Sequence, residues 1–395
     1  MTERLYYADS YLTSFEADVV GLRSVGDTVA VVLSRTAFYP TSGGQPHDTG
    51  TLDGTQVIDV RDEGDAVLHV VSHPVDGRVR GTVDWPRRFD HMQQHTGQHI
   101  LSQAALRTLG AQTRSVHFGA EDATLDLDRA DLAGEETAAL EDLANSVVLE
   151  DRPVHVREVD ESDLPALGLR RPAKKEGPIR IVEVEDFDRS ACGGTHVRRT
   201  GEVGAIKIRR WERHRGGVRL EFLCGWRALR DYRRKHDLIA ALAAAFTVAD
   251  SDVGEAVARM SAHLKDDERI IADLRDRLLA REAADLLAAA AGTPKVIAAV
   301  LPSGADEAAL LAGKITASPS CVAIVGAADG RLVVARSTDV ALDAGGIVRQ
   351  TVDRYGGRGG GRPAFAQGAV PATVISQAVE TARSTVRRLL DGVGD

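Results

Sequence analysis

HTGQH at residues 95–99 and CGGTH at residues 192–196 each set two metal-binding side chains four residues apart. No other feature of the 395-residue chain constrains its fold as tightly. A fold that uses both must bring segments nearly a hundred residues apart to one point. Around the first pair, DHMQQHTGQHILSQAALRTLG has apolar residues at 100, 101, 104, 105 and 109, the spacing of a helix over 90–109 closed by Gly110. On that helix His95 and His99 share one face, and His91 continues the stripe a turn earlier. Thr96 stands where a zinc protease of the HExxH type needs its glutamate, so that reading fails. In the second pair, Gly193 and Gly194 are expected to supply the backbone freedom that turns Cys192 and His196 onto the first pair. His95, His99, Cys192 and His196 offer three imidazoles and one thiolate, a set suited to Zn²⁺.

The rest of the chain reads as α+β and multidomain. Before residue 90, β-patterned runs at 28–33, 56–60, 66–71 and 78–83 are separated by Gly and Asp turns, which predicts a small barrel over 1–89. Residues 90–228 read as an α+β domain that contains both ligand pairs. From 229 to 292 the pattern predicts a helical stalk, opened by a capping box at Asp252–Glu255, with Val257, Met260, Leu264, Ile271, Leu274 and Leu278 on one seam. Asp267, Arg281 and Asp285 interrupt that seam, so a clean coiled coil is not expected. From 293 to 395 strands KVIAAV, CVAIVG and RLVVAR and helices at 343–355 and 372–390 predict an α/β domain. Six glycines in GGRGGGRPAFAQGA (356–369) read as a loop, either a surface loop or one that lets backbone approach a ligand.

Three cysteines, Cys192, Cys224 and Cys321, are too few for a disulfide framework. No apolar run approaches the ~20 residues of a membrane span. MTERLYYADSYL lacks the basic start and apolar stretch of a secretory signal, so a cytoplasmic protein with no membrane partner is expected. Net charge is −9, yet residues 196–235 carry 13 Lys/Arg against 4 Asp/Glu, a local +9. That segment is either a solvated face balanced by acidic neighbours or a surface that phosphates would feel.

H-x3-H followed by C-x3-H within DFDRSACGGTHV resembles the editing domain of alanyl-tRNA synthetase and the alanyl-tRNA editing proteins. FYPTSGGQPHDTGTL (38–52) resembles the Gly-rich motif of the barrel that precedes it, and RGGVRLEFLCG (215–225) the segment that closes it. GGRGGGRPAFAQGA resembles the C-terminal domain shared with DHH-type phosphoesterases, although the Asp-His-His half of such an enzyme is lacking. The barrel begins at once, leaving no room for an aminoacylation domain, so the long free-standing form is expected.

The resemblance implies hydrolysis of mischarged tRNA(Ala), chiefly seryl-tRNA(Ala) with glycyl-tRNA(Ala) as a second candidate. A pocket for alanine cannot exclude one extra hydroxyl by more than about 1–3 kcal/mol, so a second site must select the error. It implies substrate contacts from Thr36, Thr41, Ser42, Gly43 and Gly44, and catalytic roles for Gln45, Thr96 and Gln98. Arg209, Arg210 and Arg213 are expected on tRNA phosphates, and a homodimer through stalk and C-terminal domain is the further partner expectation. Four protein ligands would close the zinc site, so either His196 is loosely held or the ion positions substrate without activating water. The threonyl-type editing domain has a similar pair of motifs, and a non-catalytic, zinc-stabilised RNA-binding module is the reading from another class.

Overall fold

The computed structural model describes residues 1–26, 28–171, 179–302 and 304–392. They fall into two compact units, Met1–Ala245 and Phe246–Asp395. The first opens with strands β1 (Ser14–Val25), β2 (Thr28–Leu33), β3 (Gly50–Leu52), β4 (Thr55–Glu63), β5 (Ala66–Val71) and β6 (Arg78–Val83), which close as a barrel in the order β1-β2-β5-β4-β3-β6. β6 shows why: RVRGTV buries every second residue, sending Val79, Gly81 and Val83 inward. Phe15 occupies the space that Gly81 leaves, since a methyl there would stand 2.4 Å from its ring. β1 and β3 were not among the runs singled out above, because β1 alternates weakly and β3 has three residues.

Helix α1 (Trp85–Leu109) begins at Trp85, not at Asp90. Asp84 caps it by accepting the Arg87 N–H, Pro86 occupies its first turn, and Gly110 ends it at φ 63°. Arg88 fixes the helix to the barrel: it is fully buried, ion-paired with Asp48, and donates to the carbonyls of Ser10 (2.7 Å) and Ala37 (2.6 Å). A buried ion pair survives only when its remaining donors are met in this way.

Beyond α1 come β7 (Thr113–Phe118), β8 (Ala123–Leu127), α2 (Gly134–Leu149), β9 (Val154–Val159), β10 (Ile179–Val184), β11 (Asp188–Ala191), β12 (Ile206–His214) and β13 (Gly217–Cys224). They make an antiparallel sheet β12-β13-β8-β7 and a smaller one, β9-β10-β11. α1 and α2 pack on the larger sheet through Leu101, Leu140, Leu125, Leu220 and Phe222. Gly97 lets α1 press against β13, where a methyl would lie 2.3 Å from the Cys224 sulfur.

The expected stalk is two helices, α3 (Gly225–Phe246) and α4 (Val253–Ala289), interrupted between them. Asp252 makes no side-chain cap, which corrects the expected capping box. In the second unit β14 (Lys295–Leu301), α5 (Ala305–Thr316) and β15 (Cys321–Ala327) form a parallel crossover. β16 (Arg331–Arg336), α6 (Ala344–Arg354), β17 (Arg358–Arg362), β18 (Phe365–Ala369) and α7 (Ile375–Leu390) complete a five-stranded sheet, order β14-β15-β16-β18-β17. Cys321, Ala323 and Val325 face α5 and the end of α4, while Val322 and Ile324 face α6 and α7.

Four of the six glycines at 356–369 are therefore in the hairpin β17–β18, with Gly356 (φ 69°) and Gly357 turning the chain into it. Their need is close packing. A methyl on Gly359 would sit 2.5 Å from the Gly368 Cα, and one on Gly368 2.6 Å from Val352 of α6. Among the described residues no helix is long and apolar enough to cross a membrane.

Candidate metal centre

α1 is unusual for what it buries. His91, Gln94, His95, Thr96, His99 and Ser102 are all at most 5% exposed. Against it lies the segment after β11, and the ligand atoms of His95, His99, Cys192 and His196 come within 4.8 Å of one another. Bonds of ~2.0–2.3 Å set tetrahedral ligands about 3.3–3.8 Å apart, so donors gathered this closely can hold one ion after a small closing movement. His91 lies outside the group; its Nδ1 is buried without a partner among the described residues.

Each imidazole is pinned through Nδ1 by a different neighbour. His95 Nδ1 donates to Gln45 Oε1 at 2.8 Å, His99 Nδ1 to Asp188 Oδ2 at 3.2 Å, and His196 Nδ1 meets Thr96 Oγ1 at 3.0 Å. This fixes the ring orientation and leaves the other nitrogen for the centre. The Nε2 atoms of His95 and His196 both lie 3.3 Å from the Cys192 sulfur. The pinning groups are anchored in turn. Gln45 donates to Thr195 Oγ1 and accepts the Thr195 N–H, Thr96 accepts the Val197 N–H, and Asp188 accepts from Arg170 (2.8 Å) and Ser190. Asp188, Arg170 and Thr195 were missed from sequence, although Asp188 and Thr195 lie inside the quoted motif.

The electrostatics favour a thiolate. Burial pushes the Cys192 thiol up, but His95 and His196 beside it more than offset this and hold it well below the usual thiol range. Burial, reinforced by His95, keeps His196 neutral, with its pKa lowered to about 3. Burial also opposes charge on His99, yet the hydrogen bonds to Asp188 and Cys192 prevail and raise it to about 9.

The glycines act differently from the expectation. Neither Gly193 nor Gly194 has a positive φ. A methyl on Gly194 would lie 2.1 Å from His95 Cε1 and 2.4 Å from its Nδ1, so the imidazole packs against bare backbone. That is a demand for close approach, not for conformational freedom.

The same contacts place the residues expected to be catalytic. Gln45 and Thr96 hold ligand imidazoles. Gln98 donates to Ser102 Oγ at 2.7 Å, one turn along α1, and has no hydrogen bond to the four ligands among the described residues. In the barrel motif, Ser42 and Gln45 pair through their backbones around Gly43 (φ 57°) and Gly44 (φ 88°), a tight turn that delivers Gln45. Thr41 Oγ1 accepts the His47 N–H, and Thr36, fully buried, lies between His69 Nε2 (2.7 Å) and the Phe38 N–H. Arg209 and Arg210 both pair with Glu221, and Arg213 pairs with Asp131. The expected phosphate contacts thus already hold carboxylates.

Three family models match. One, described as threonyl and alanyl tRNA synthetase second additional domain, covers residues 179–221. One for class II (A) tRNA synthetases covers 11–87, and one for the DHHA1 domain covers 280–390. The chain is 31% identical to the alanyl-tRNA editing protein AlaX-L of Pyrococcus horikoshii, over 97% of this chain and 99% of that one. It is 32% identical to the alanine–tRNA ligase of Pyrococcus abyssi over 98% of this chain, but spans only 44% of that enzyme. Among solved structures, the C-Ala domain of Aquifex aeolicus alanyl-tRNA synthetase aligns at 21% identity over 23% of this chain and 88% of its own, with a TM-score of 0.21, too slight to carry an argument.

Proposed function

The chain belongs to the family of the alanyl-tRNA editing protein AlaX-L and the matching region of alanine–tRNA ligases, and on that premise we propose that it hydrolyses the aminoacyl ester of mischarged tRNA(Ala). The substrates would be chiefly seryl-tRNA(Ala), then glycyl-tRNA(Ala), met in the cytoplasm. The observation that carries the reading is the centre itself: three imidazoles pinned through Nδ1, converging with a thiolate on one point.

His95, His99, Cys192 and His196 fit Zn²⁺ in number, donor type and spread. Bound there, the ion would supply Lewis-acid polarisation at the ester. The chain's own groups do the rest. Gln45, Asp188 and Thr96 hold the rings still, so that no reorganisation is left for the reaction. Polar groups of the barrel motif, with buried Thr36 and the exposed turn residues Thr41, Ser42, Gly43 and Gly44 as candidates, would pair with a serine hydroxyl and lose that partner against alanine. Arg213 would exchange its exposed partner Asp131 for a tRNA phosphate, because exposed ion pairs hold weakly, while Arg209 and Arg210 would reach phosphates with their remaining donors and keep the buried Glu221 paired. The exposed apolar seam of α4 supports a homodimer through the stalk.

The test is the deacylation rate of the purified protein on seryl-, glycyl- and alanyl-tRNA(Ala). Much faster loss of serine than alanine is expected; equal rates would defeat the editing reading. Preference for seryl-tRNA(Thr) would move it to the threonyl type. Binding without hydrolysis of any ester would leave a zinc-stabilised RNA-binding module.

A further inference from the structure

The four ligand side chains are unequally covered. His95, His99 and His196 are 3–4% exposed, whereas Cys192 is only half-buried. The backbone of Cys192 and the exposed Gly193 after it are therefore the part of the ligand loop nearest to solvent, while the sulfur itself is covered. Gly193 leaves that part bare: a methyl there would meet nothing nearer than the Tyr7 hydroxyl, at 3.7 Å.

The Tyr7 ring stands at this mouth with the Arg4 and Arg180 guanidinium carbons 5.9 and 5.5 Å from its centroid and the Tyr6 ring edge-on to it at 4.8 Å. Arg4 is spent on Asp62, which takes two of its nitrogens at 2.7 Å. Arg180 is not spent in that way. Its Nη1 donates to the carbonyls of Cys192 and Gly194, each at 2.8 Å, and its Nε to the carbonyl of Tyr7 at 3.3 Å. Those acceptors are neutral, and the charge that faces it is the Cys192 thiolate beside the loop. Its Nη2 is buried and has no hydrogen-bond partner among the described residues. A buried donor left unpaired is costly, and an incoming acceptor relieves the cost. An aromatic face beside a cation with a donor to spare has the chemistry of a nucleotide seat: rings stack bases, and guanidinium groups take phosphate.

We propose that Tyr7 and Arg180 seat the terminal nucleotide of the substrate, the Tyr7 ring stacking on its base and Arg180 Nη2 donating to its phosphate. The inference rests on the deacylase reading, because it assumes that the ester enters with a nucleotide attached. Tyr7 and Arg180 reach the mouth from different parts of the chain, the N-terminal segment and β10, and Arg180 ties both to the ligand loop.

The test titrates adenosine and adenosine 5′-monophosphate into full-length wild type, Tyr7→Phe, Tyr7→Ala and Arg180→Lys, with metal content measured in each. Tyr7→Ala should weaken both ligands by about fivefold to a hundredfold, the range for losing one base–aromatic stack, while Tyr7→Phe keeps wild-type affinity. Arg180→Lys should weaken the monophosphate and leave adenosine unchanged. On seryl-tRNA(Ala), Tyr7→Ala should raise KM and leave kcat and zinc content as they were. The seat is overturned if the wild type binds neither ligand, if Tyr7→Ala binds both as wild type does, or if affinity falls only in step with zinc. The last outcome would make both residues mere supports of the ligand loop. If wild type hydrolyses no aminoacyl-tRNA, the editing reading fails while the adenosine titrations still decide the seat. If it hydrolyses seryl-tRNA with KM indifferent to Tyr7→Ala, the seat fails alone.

Discussion

α1 and α4 are both long helices, of 25 and 37 residues, and they break the usual rule of helix polarity in opposite directions. α1 buries what water normally keeps: His91, Gln94, His95, Thr96, His99 and Ser102. α4 exposes what a core normally takes. Leu264, Leu274 and Leu278 are 54–67% exposed, and only Val253, Ala256, Leu279 and Ala283 are buried. The two departures mean different things. Buried polar side chains must be paired within the protein, and in α1 His95, Thr96 and His99 pair around one point, Gln94 and Ser102 pair elsewhere, and His91 Nδ1 is left without a partner among the described residues. Exposed apolar side chains ask for cover from outside, so α4 is unfinished as it stands.

The comparison breaks most sharply at the ligands. Cys192→Ala or His95→Ala should strip the metal and cost deacylation more than the roughly 10–100-fold that losing an outer partner costs. Full metal content in Cys192→Ala would remove the sulfur from the centre. The outer partners come next. Gln45→Ala and Asp188→Asn each unpin one imidazole, and a competing chelator should find metal held about 10–100-fold less tightly. Affinity unchanged in both would reduce the pinning to ordinary packing.

Acid should separate the helices. Burial, aided by Arg87 and Arg227, lowers His91 from 6.5 to about 3. The folded state therefore binds fewer protons than the unfolded one between those values, and stability falls as pH drops through that window. The loss should be about 2 kcal/mol by about pH 5, read as a lower denaturation midpoint of the first unit, and His91→Phe should flatten it. An unchanged slope in His91→Phe would place the acid sensitivity elsewhere. The seam of α4 should give the smallest effect on the folded chain. Leu264→Glu with Leu274→Glu should leave metal content alone and shift stability within about 0.5 kcal/mol, as exposed positions do. Its expected signature is a fall in sedimenting mass from dimer to monomer; unchanged mass would mean that something other than a second copy covers the seam.

What sequence could show divides along the same line. Both ligand pairs were legible because each is local, two side chains held at a fixed spacing by a helix or a short turn. Their supports were not. Gln45 reaches His95 across 50 positions and Asp188 reaches His99 across 89, contacts that no periodicity encodes. The glycines misled twice for one reason. At 193–194 and 356–369 they read as freedom, whereas Gly194, Gly359 and Gly368 are there because another group takes the place of a side chain. The helix start at Trp85 was available in Asp84 and Pro86. The α4 seam was legible as a pattern, and its exposure was not, because pattern alone does not say what lies opposite.

β17, RGGGR, is the outer strand of its sheet, with one side paired to β18 and the other row of N–H and C=O groups left over. Such a margin is a template on which a foreign strand can add, and growth of that kind leads to aggregates. β17 is a poor template. Three consecutive glycines offer an incoming strand no side chains to interdigitate with, and they hold the extended form only because their own sheet and α6 impose it. Arg358 and Arg362 put a positive charge at each end of the strip, so a second copy of the same strand would meet like charges. The glycines that let α6 settle on the hairpin also leave the sheet with a border that gives little purchase to another chain.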